Sequence, residues 1–594
     1  MCGIFGYIGK KDNAAEVVLE GLRLLEYRGY DSWGVAVRDN KKLAIEKHAG
    51  KIGKAKTSLP KSTMGIGHTR WATHGGITDK NAHPHFDCTK EIAVLHNGII
   101  ENFAEIKDDL QKKGHTFISE TDTEVFSHLV EENLKKVALP AGRQGFASSV
   151  RDAFNTIRGL NAVVVAYAPA KEIIAAKTGS PLVLGKDKDA IYIASDAAGI
   201  IRHTKNILFL KDNEMVIIGD GSIQLVSLPV GEKLMPQFEK VDWKVEDVSL
   251  GKYPHFMLKE IYEQPKVIRS IVENHAEQIA DLADLVHDAK GTFLIGAGTA
   301  GYACLAGTYL FSKISKHHVN TAAASEFNYL EDFLTKDSLI IVLSQSGETI
   351  DVIEPLNRAK KKKSTVVAIV NVLGSTIYRM ADYKLLLNAG PEKAVASTKA
   401  YIAKLVTLLM LSYAMNGSLS KAKSILLKTA DEVEKIFEKE NIDKLQSLAE
   451  FLVKKEHIYA IGRGTSYATA LEASLKIKEV SCIHTEGLAG GELKHGTIAL
   501  IEKGTPVLVF APKDETYAAI LSNAMEIKAR GGYIIGISPE NSDVFETWIE
   551  SADMGDASII SQIIPIQLLA YYLAVRRGFD PDKPRNLAKS VTVK

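Results

Sequence analysis

Apolar and polar positions divide the chain into two parts with different patterns. Up to about residue 235, short apolar stretches such as MCGIFGYIG, NAVVVAYA and DAIYIAS are bounded by Gly-rich turns, with helical segments such as AAEVVLEGLRLLEYR between them. Stretches of this kind predict short strands, and apolar residues three or four apart predict amphipathic helices. We therefore expect an α+β domain in this part.

The second part repeats one unit: an apolar strand, a Gly-rich turn and a helix. FLIGAGTAGYACLAGTYLF, SLIIVLSQSGETIDVIEPL and TVVAIVNVLGSTIYRMA all follow this pattern. The alternation predicts a parallel sheet covered by helices, the α/β class. Residues 230–254 mix charge, Pro and Gly without a clear period and indicate a linker, whereas VALPAGRQGFAS (137–148) predicts an exposed loop.

Two motifs of the second part recur at nearly one offset. IGAGTA begins at Ile295 and IGRGTS at Ile461, 166 residues apart, while SQSGET at Ser344 and APKDET at Ala511 are 167 apart. This period is too long for a solenoid and indicates a duplicated α/β domain. The predicted division is a first domain at 2–235, a linker at 236–252, α/β domains at 253–425 and 426–580, and a tail at 581–594.

Composition excludes several classes of protein. The 594 residues are 46% hydrophobic and 24% charged with a net charge of +1, so nothing indicates a nucleic-acid partner. The four cysteines form no CxxC pair, which argues against a disulfide framework or a thiolate metal site and fits a reducing compartment. No secretory signal opens the chain, and residues 559–575 are too short and too polar for a typical membrane span. We expect a cytoplasmic protein without a membrane partner, and a buried helix at 559–575.

Cys2 is a candidate nucleophile because only the initiator methionine precedes it. Removal of that methionine would give Cys2 a free α-amine with a pKa of about 7.7–8.0, which is partly neutral at pH 7. Such an amine can act as the base for its own side chain. The alternative is a small buried residue at the start of a strand.

Three further motifs supply groups that suit one substrate. Arg70 in GHTRWATHG offers a planar fork for a carboxylate, and Asp122 in ETDTEV offers an anion for an ammonium group. The Asn97–Gly98 pair in HNGIIEN offers an amide and a backbone N–H, the parts of an oxyanion hole. Together with a thiol, these groups suit glutamine.

A metal site is the competing interpretation of the nearby histidines. Five of them fall within about thirty residues, but no cysteine or acid completes a recognisable set of ligands. We therefore expect hydrogen bonding in the core or loops, and no metal, for these residues: His68, His74, His83, His85 and His96.

Six motifs together resemble the N-terminal-nucleophile glutamine amidotransferase domain over most of residues 2–230: MCGIFGYIG, EYRGYDS, GHTRWATHG, NAHPH, HNGIIEN and ETDTEV. The resemblance implies αββα layers, Cys2 as nucleophile, and Asn97 and Gly98 as the oxyanion hole. It also implies that Arg70 and Asp122 hold the α-carboxylate and α-amine of glutamine, with Thr73 and His74 nearby and Trp71 gating ammonia. Trp33, where the family usually has a small residue, and the insertion at 137–148 depart from the family pattern.

SQSGET is a candidate phosphate site. It follows a strand and precedes a helix, and Ser344, Gln345, Ser346 and Thr349 add side-chain donors to the N–H groups of the helix N-terminus. The alternative is an ordinary capped turn. The matching turn of the second copy, APKDET, lacks both serines and the glycine and has Asp514, which would repel phosphate.

Lysines of the second copy and of the tail have two interpretations each. Lys476 and Glu479 in LEASLKIKE are three residues apart on one helix face, as a surface ion pair would be. Lys589 belongs to a Pro-containing tail that would normally be mobile. The sequence pattern alone leaves both as solvated charges.

Motifs of the second part resemble the sugar isomerase domains of the glucosamine-6-phosphate synthase family: IGAGTAGYACL, ASEF, SQSGET, VASTKA, KIKE with ELKHG, and PRNLAKSVTV. The glutaminase part and the isomerase part of the chain both match this family, in the same order. The resemblance implies fructose-6-phosphate and glutamine as substrates, no cofactor, and a homodimer. It implies that His495 opens the sugar ring, Lys589 forms a Schiff base at C2, and Glu479 moves the proton between C1 and C2, with Lys476 close by. The implied sugar-phosphate contacts are Thr299, Ser344, Gln345, Ser346, Thr349 and Ser397. Ala300, where the family usually has serine, removes one hydroxyl.

Three rival functions are less consistent with these residues. Phosphoribosyl transfer would need a diphosphate-ribose loop, which the SQSGET and ELKHG duplication argues against. A sugar-phosphate sensor has no use for Cys2, Glu479 or Lys589. A deglycase acting on sugar–amine adducts would not need the glutaminase.

Overall fold

The computed structural model describes residues 2–136, 143–219, 221–240 and 249–590. They form two compact units, the first of the described residues up to 249 together with 588–590 and the second of residues 250–587.

The described part of the first unit contains short strands and four α-helices. Its strands are β1 (Gly3–Gly9), β2 (Ser32–Asp39), β3 (Lys42–Ala49), β4 (Met64–Arg70), β5 (His85–Phe86), β6 (Ile92–Asn97), β7 (Ala162–Tyr167), β8 (Glu172–Lys177), β9 (Val183–Lys186), β10 (Ala190–Ala194), β11 (Asn206–Phe209), β12 (Glu214–Gly219), β13 (Ser222–Ser227), β14 (Lys233–Leu234) and β15 (Glu239–Lys240). Its helices are α1 (Ala14–Leu25), α2 (Phe103–Lys112), α3 (Glu124–Lys135) and α4 (Arg143–Thr156).

These elements form four layers. One antiparallel sheet has the order β15-β11-β9-β10-β1-β4-β2-β3 and the other the order β14-β13-β12-β8-β7-β6-β5. One core fills the space between the sheets, a second lies between α1 and the first sheet, and a third lies between the remaining helices and the second sheet. The expected αββα arrangement is confirmed.

The sequence of β1 shows why a strand can be buried on both faces. Ile4 and Ile8 pack into the core between the sheets, whereas Phe5 and Tyr7 pack into the core beneath α1. Because successive strand residues point to opposite faces, one apolar run serves both cores. Trp33 on β2 is also buried in the core beneath α1.

The second unit alternates strands and helices. Its strands are β16 (Gly291–Gly296), β17 (Asn320–Ala323), β18 (Ser338–Ser344), β19 (Thr365–Val370), β20 (Tyr383–Leu386), β21 (His457–Gly462), β22 (His484–Ala489), β23 (Pro506–Phe510), β24 (Tyr533–Ser538) and β25 (Thr547–Glu550). Its helices are α5 (Phe256–Tyr262), α6 (Gln264–Asn274), α7 (Ala276–Asp288), α8 (Thr299–Leu310), α9 (Ala324–Phe327), α10 (Ile350–Lys361), α11 (Thr376–Met380), α12 (Lys399–Met415), α13 (Leu419–Ile436), α14 (Lys439–Leu452), α15 (Thr465–Ser481), α16 (Tyr517–Lys528) and α17 (Ser558–Arg576).

Two parallel five-stranded sheets with one topology confirm the predicted duplication. Their orders are β17-β16-β18-β19-β20 and β22-β21-β23-β24-β25. In each sheet the second strand in the sequence lies at the edge, and the first strand lies between the second and the third. The turns after the first strands also match: Gly298 and Gly464 precede α8 and α15 with φ values of 54° and 55°. In such sheets ligands bind at the carboxyl ends of the first and third strands, where the strand order reverses.

The apolar run at 559–575 forms most of α17, which is buried in the core of the second unit. Among the described residues one helical segment, Gly555–Arg576, is long and apolar enough to cross a membrane, and 89% of its apolar window is buried. The predicted buried helix is confirmed, even with Pro565 inside it.

Two sequence interpretations differ from the structure. Residues 137–142 of the predicted loop lie outside the described residues, but Arg143 begins α4, and Phe146 is fully buried. The loop prediction is wrong from Arg143 onward. Pro140 and Gly142 precede this point, and the residues after it form a helix with its own buried apolar face. The predicted linker at 236–252 includes β15, whose two residues pair with β11, and its residues 241–248 lie outside the described part.

Candidate functional site

Cys2 lies directly before the central strand β1 and is half-buried. Its Sγ accepts a hydrogen bond from the Trp71 backbone N–H at 3.2 Å, and its carbonyl accepts one from Arg28 Nε at 3.2 Å. Burial raises the pKa of the Cys2 thiol, although the Trp71 N–H, Arg70 and Arg28 oppose this increase. A thiol of this kind needs a base to become a nucleophile.

Asn97 and Gly98 lie beside Cys2 at the end of β6. Asn97 Nδ2 donates to the Cys2 carbonyl at 3.0 Å, and Asn97 Oδ1 lies 3.0 Å from His68 Nε2. Gly98 has φ 137°, and a Cβ there would lie 2.4 Å from the Leu160 carbonyl. Only glycine fits this position, which leaves the backbone next to the thiol free of a side chain.

Arg70 ends β4, and its guanidinium is engaged with the loop that follows. Its Nη1 donates to the Gly76 carbonyl at 3.1 Å, and its Nη2 donates to the carbonyls of Gly75, at 3.0 Å, and His74. Three of its five N–H groups thus hold the 74–76 loop. The guanidinium therefore positions this loop.

Asp122 is buried just before α3. Its Oδ2 accepts a hydrogen bond from the Ile100 backbone N–H at 2.8 Å and lies 4.0 Å from His96 Nδ1. Burial lowers the pKa of His96, so this ring is neutral at pH 7 and leaves the negative charge of Asp122 for a cation.

All the residues assigned to glutamine line one cavity. Trp71 is half-exposed and packs edge-on against Tyr30, with ring centroids 5.6 Å apart. The cavity is lined by Cys2, Arg70, Trp71, Thr73, His74, His83, His96, Asn97, Gly98, Thr121, Asp122, Thr123, Ala588 and Ser590. The structure therefore brings together every predicted residue of the thiol site, and adds two residues of the C-terminal tail.

Four of the five histidines behave as expected of hydrogen-bonded core residues. His83 and His96 both bond Thr123 Oγ1, at 2.8 and 2.9 Å, and His85 bonds Thr121 Oγ1 at 3.1 Å. Burial lowers the pKa of each of these rings and that of His68, whose pKa falls to about 3.

A buried charge cluster lies in the second unit where α15 packs against α8. Lys476 is fully buried, and its Nζ lies 2.5 Å from Glu479 Oε2 and 3.0 Å from Thr299 Oγ1. Burial alone would lower the pKa of Lys476, but the carboxylates of Glu472 and Glu479 raise it to about 12. The surface ion-pair alternative is wrong for Lys476, and Glu479 is half-buried beside it.

Glu472 is a site residue that the sequence analysis missed. Its carboxyl is fully buried, 3.5 Å from Lys476 Nζ and 3.3 Å from Thr299 Oγ1. Burial raises the pKa of Glu472 to about 7, although Lys476 opposes the shift. The signal was present in LEASLKIKE, because Glu472, Lys476 and Glu479 are four and three residues apart on one helix face.

The raised pKa of Glu472 gives a testable pH dependence of stability. Between pH 4.5 and about 7 the folded protein keeps a proton on Glu472 that the unfolded chain has lost, so the free energy of unfolding falls as pH rises through this window. The slope from this group is at most about 1.4 kcal/mol per pH unit. Glu472→Gln should flatten it in chemical denaturation at pH 5, 6 and 7. Glu526→Gln is the control, and an unchanged slope in Glu472→Gln would contradict the assignment.

SQSGET lies at the carboxyl end of β18, where the topology predicts a ligand. Ser344 Oγ accepts from the Gly347 N–H at 3.0 Å and lies 3.5 Å from Thr349 Oγ1, and Ser346 Oγ accepts from the Glu348 N–H at 3.2 Å. Hydroxyls and N–H groups therefore surround one short turn before α10. Thr299, at the end of the neighbouring strand β16, lies on the same edge of the sheet.

The corresponding turn of the second copy is occupied by its own acid. Asp514 Oδ1 accepts from the Thr516 N–H at 2.8 Å and from Thr516 Oγ1 at 2.6 Å. A carboxylate thus takes the donors that a phosphate would need. The two turns therefore differ in their suitability for a phosphate, because in the second the carboxylate of Asp514 already occupies the donors.

The remaining predicted residues lie in different environments. Ser397 donates to Glu392 Oε2 at 3.1 Å, and Glu392 also accepts from the N–H groups of Thr398 and Ala400 at the start of α12. Ala300 is buried in the first turn of α8. His495 is exposed on a 3₁₀ turn and does not share the burial of Lys476.

Lys589 belongs to the first unit by its contacts, whereas Lys476 and Glu479 belong to the second. It lies between Ala588 and Ser590, which line the Cys2 cavity. Ser590, the last described residue, is buried.

Comparison with known proteins identifies the family of each part of the chain. The glutamine amidotransferase domain family matches residues 68–202, and the SIS domain family matches residues 285–414 and 451–571, two copies that begin 166 residues apart. Glutamine–fructose-6-phosphate aminotransferase (isomerizing) of Thermococcus kodakarensis is 43% identical over the full length of both chains, and that of Clostridium tetani is 40% identical, also over both full lengths. The chain belongs to the glutamine–fructose-6-phosphate aminotransferase (isomerizing) family.

A solved structure of a family member covers the second part of the chain. The C-terminal domain of glucosamine-fructose-6-phosphate aminotransferase from Francisella tularensis is 31% identical, with a TM-score of 0.51, over 56% of this chain and 99% of that one. The second part of this chain, with its two parallel sheets, therefore has the fold of that solved domain.

Proposed function

We propose that the enzyme converts fructose-6-phosphate and glutamine into glucosamine-6-phosphate and glutamate. The observation that carries this is the pairing of a thiol cavity with a duplicated sugar-phosphate fold in one chain, in a family whose members at 40–43% identity bear the name of this reaction. It is the first step of amino sugar synthesis. No cofactor is needed, because a thiol, an amine and carboxylates supply all the chemistry.

At the first site the Cys2 sulfur adds to the side-chain amide carbonyl of glutamine. The C–N bond then breaks to release ammonia, and water hydrolyses the resulting thioester to glutamate and the free thiol. Burial raises the pKa of the Cys2 thiol, so the α-amine freed by removal of the initiator methionine takes the proton of the thiol. Asn97 Nδ2 and the Gly98 N–H stabilise the oxyanion. Asp122 holds the α-amine of glutamine, and Arg70 holds its α-carboxylate.

Ammonia then passes internally to the sugar site, with Trp71 as the gate. The Trp71 backbone N–H bonds the Cys2 sulfur, so the position of this residue depends on the state of the thiol. Thr73 and His74 complete the glutamine cavity.

At the second site the phosphate of fructose-6-phosphate binds the SQSGET turn through Ser344, Gln345, Ser346 and Thr349. Thr299 and Ser397 contact the sugar. A phosphate is favoured there by hydroxyl and backbone donors beside the N-terminus of α10, which needs no lysine.

Four residues carry the sugar chemistry. His495 opens the ring, and the Lys589 amine condenses with the C2 carbonyl to a Schiff base with loss of water. The ammonia released from glutamine then displaces the lysine amine from C2. Glu479 moves the proton between C1 and C2. Lys476, held cationic by two carboxylates, places its Nζ 2.5 Å from Glu479 Oε2 and so orients the carboxylate that moves this proton.

The enzyme acts as a cytoplasmic homodimer without membrane or nucleic-acid partners. The exposed position of His495 supports the dimer, because an exposed ring-opening histidine can serve the sugar site of a neighbouring subunit.

The direct test is incubation of the full chain with fructose-6-phosphate and glutamine, followed by separate assays of glutamate and glucosamine-6-phosphate. Equal amounts of both products are expected. Omission of fructose-6-phosphate should leave only slow glutamate release. Glutamate without glucosamine-6-phosphate in the complete mixture would contradict the proposed sugar chemistry.

The asymmetry of the two turns gives a matched pair of variants. Ser346→Ala combined with Thr349→Ala should raise the KM for fructose-6-phosphate at least about tenfold, because two hydrogen bonds to a charged phosphate are lost. Thr516→Ala in APKDET should change the KM less than about twofold. Equal increases from both turns would show that SQSGET is not the phosphate site.

A further inference from the structure

A second cluster of polar groups lies in the first unit, outside the glutamine cavity. It combines Cys88, which follows β5, with His115, which follows α2, and with His128 and Glu131 on α3. The three residues other than Cys88 are buried. One ligand-type atom from each residue lies within 4.8 Å of the other three.

Five of the six distances between these atoms match the edges of a metal-centred tetrahedron, and the sixth, from Cys88 Sγ to Glu131 Oε2, is within 4.8 Å. Cys88 Sγ lies 3.7 Å from His115 Nδ1 and 3.5 Å from His128 Nδ1. The two Nδ1 atoms are 3.3 Å apart, and Glu131 Oε2 lies 3.2 and 3.4 Å from them. Tetrahedral zinc with its usual bond lengths gives edges of about 3.6 Å for sulfur to nitrogen and about 3.3 Å for nitrogen to nitrogen or oxygen.

The outer faces of the two imidazoles indicate where their protons lie. His115 Nε2 faces Glu132 Oε2 at 3.4 Å, and His128 Nε2 faces Glu124 Oε1 at 3.7 Å. Each carboxylate favours a proton on the Nε2 that it faces, as it does for metal-binding histidines generally. Both Nδ1 lone pairs then point inward.

With those tautomers, four electron-pair donors converge on one point. Glu131 Oε2 is an acceptor, and the sulfur of Cys88 binds metals as a thiolate. Glu131 Oε1 is held by Lys135 Nζ at 2.9 Å, and its Oε2 is oriented by the Cys88 N–H at 3.0 Å. Glu131 is therefore held by two donors, and each imidazole has a carboxylate on its outer side.

We infer that Cys88, His115, His128 and Glu131 bind a structural zinc ion. Four protein ligands leave no open position, so the site is structural and not catalytic. Zinc suits a mixed set of sulfur, nitrogen and oxygen donors at tetrahedral spacing. The ion would fasten the turn after β5 and the segment after α2 to α3, whose first residue follows Asp122 and Thr123 of the glutamine cavity.

The test uses the full chain purified without chelators. Metal analysis should find close to one zinc ion per chain. Removal of zinc should lower the midpoint of thermal unfolding by about 4 °C or more, and added zinc should restore it. Cobalt(II) added to the metal-free protein should give intense visible bands of a tetrahedral site and a sulfur-to-cobalt band in the near ultraviolet.

Variants separate the site from adventitious binding. Cys88→Ser should abolish the sulfur-to-cobalt band, and Glu132→Gln, which keeps all four ligands, should weaken zinc binding about 10–100-fold. Cys482→Ser is the matched thiol control. His484→Ala is the matched imidazole control, because His457 and His484 also face each other through Nδ1 atoms, 3.1 Å apart, without forming a cluster of three ligands among the described residues.

The inference is wrong if the purified chain holds only substoichiometric zinc and its metal-free form gives no sulfur-to-cobalt band. It is equally wrong if Cys88→Ser keeps that band, or if the control variants lose zinc as readily as Cys88→Ser.

Discussion

Cys2→Ala should reduce glutamine hydrolysis by at least about 10³-fold, because the change removes the thiol that we propose as the nucleophile of the first site. The isomerisation of fructose-6-phosphate should continue, since Lys476, Glu479 and the SQSGET turn belong to the other unit. Glutamate release and the conversion of fructose-6-phosphate to glucose-6-phosphate are measured separately on the same preparation.

The position of Cys2 adds a second arm to this prediction. An uncleaved N-terminal tag keeps the thiol but converts the α-amine into an amide, which cannot accept a proton. A tagged chain should therefore lose glutaminase activity as Cys2→Ala does, and tag removal that exposes Cys2 should restore it. Cys482→Ser is the control for loss of a half-buried thiol. Full glutaminase activity in the tagged, unprocessed chain would show that another group is the base.

Most of the fold could be predicted because its apolar patterns are local. The run MCGIFGYIG specifies a strand with two apolar faces, and the structure uses both, as Ile4 and Phe5 show. The duplication could be recognised in the sequence because both strand-to-helix turns contain a Gly with positive φ, Gly298 and Gly464. Glycine adopts this backbone conformation readily, so the same Gly-Thr motif recurs in both copies. The loop prediction after residue 142 failed because Pro and Gly were given more weight than the apolar residues that follow.

The sites were predicted only as far as their residues share a motif. Glu472 was missed because a carboxyl in a helical pattern is ordinarily exposed, and its burial depends on the packing of α15 against α8. The proposed zinc ligands were missed because they come from three segments spread over 43 residues, so Cys88 lacks the close cysteine partner that sequence spacing would reveal. Contacts of this kind come from tertiary structure alone.

The structure also changes the interpretation of the tail. A Pro-containing terminus was expected to be mobile on composition alone, yet Ser590 is buried and lines the glutamine cavity with Ala588. Asp582 accepts hydrogen bonds from the N–H groups of Phe256 and Met257, both at 2.7 Å, at the start of α5. The tail is therefore held at Asp582 and at Ser590, before and after Lys589 in the sequence.

Lys589→Arg should reduce glucosamine-6-phosphate formation by at least about 10³-fold, because a guanidinium keeps the charge but does not add to the C2 carbonyl. Glutamine hydrolysis should continue at least slowly, since Cys2 and its cavity remain. Borohydride added with labelled fructose-6-phosphate should attach the label to Lys589 in the unchanged chain and not in Lys589→Arg. Lys583→Arg, in the same tail, is the matched control and should be labelled normally. If Lys589→Arg forms glucosamine-6-phosphate at a comparable rate, Lys589 is not the amine that forms the Schiff base, and another lysine must be sought by mapping the label.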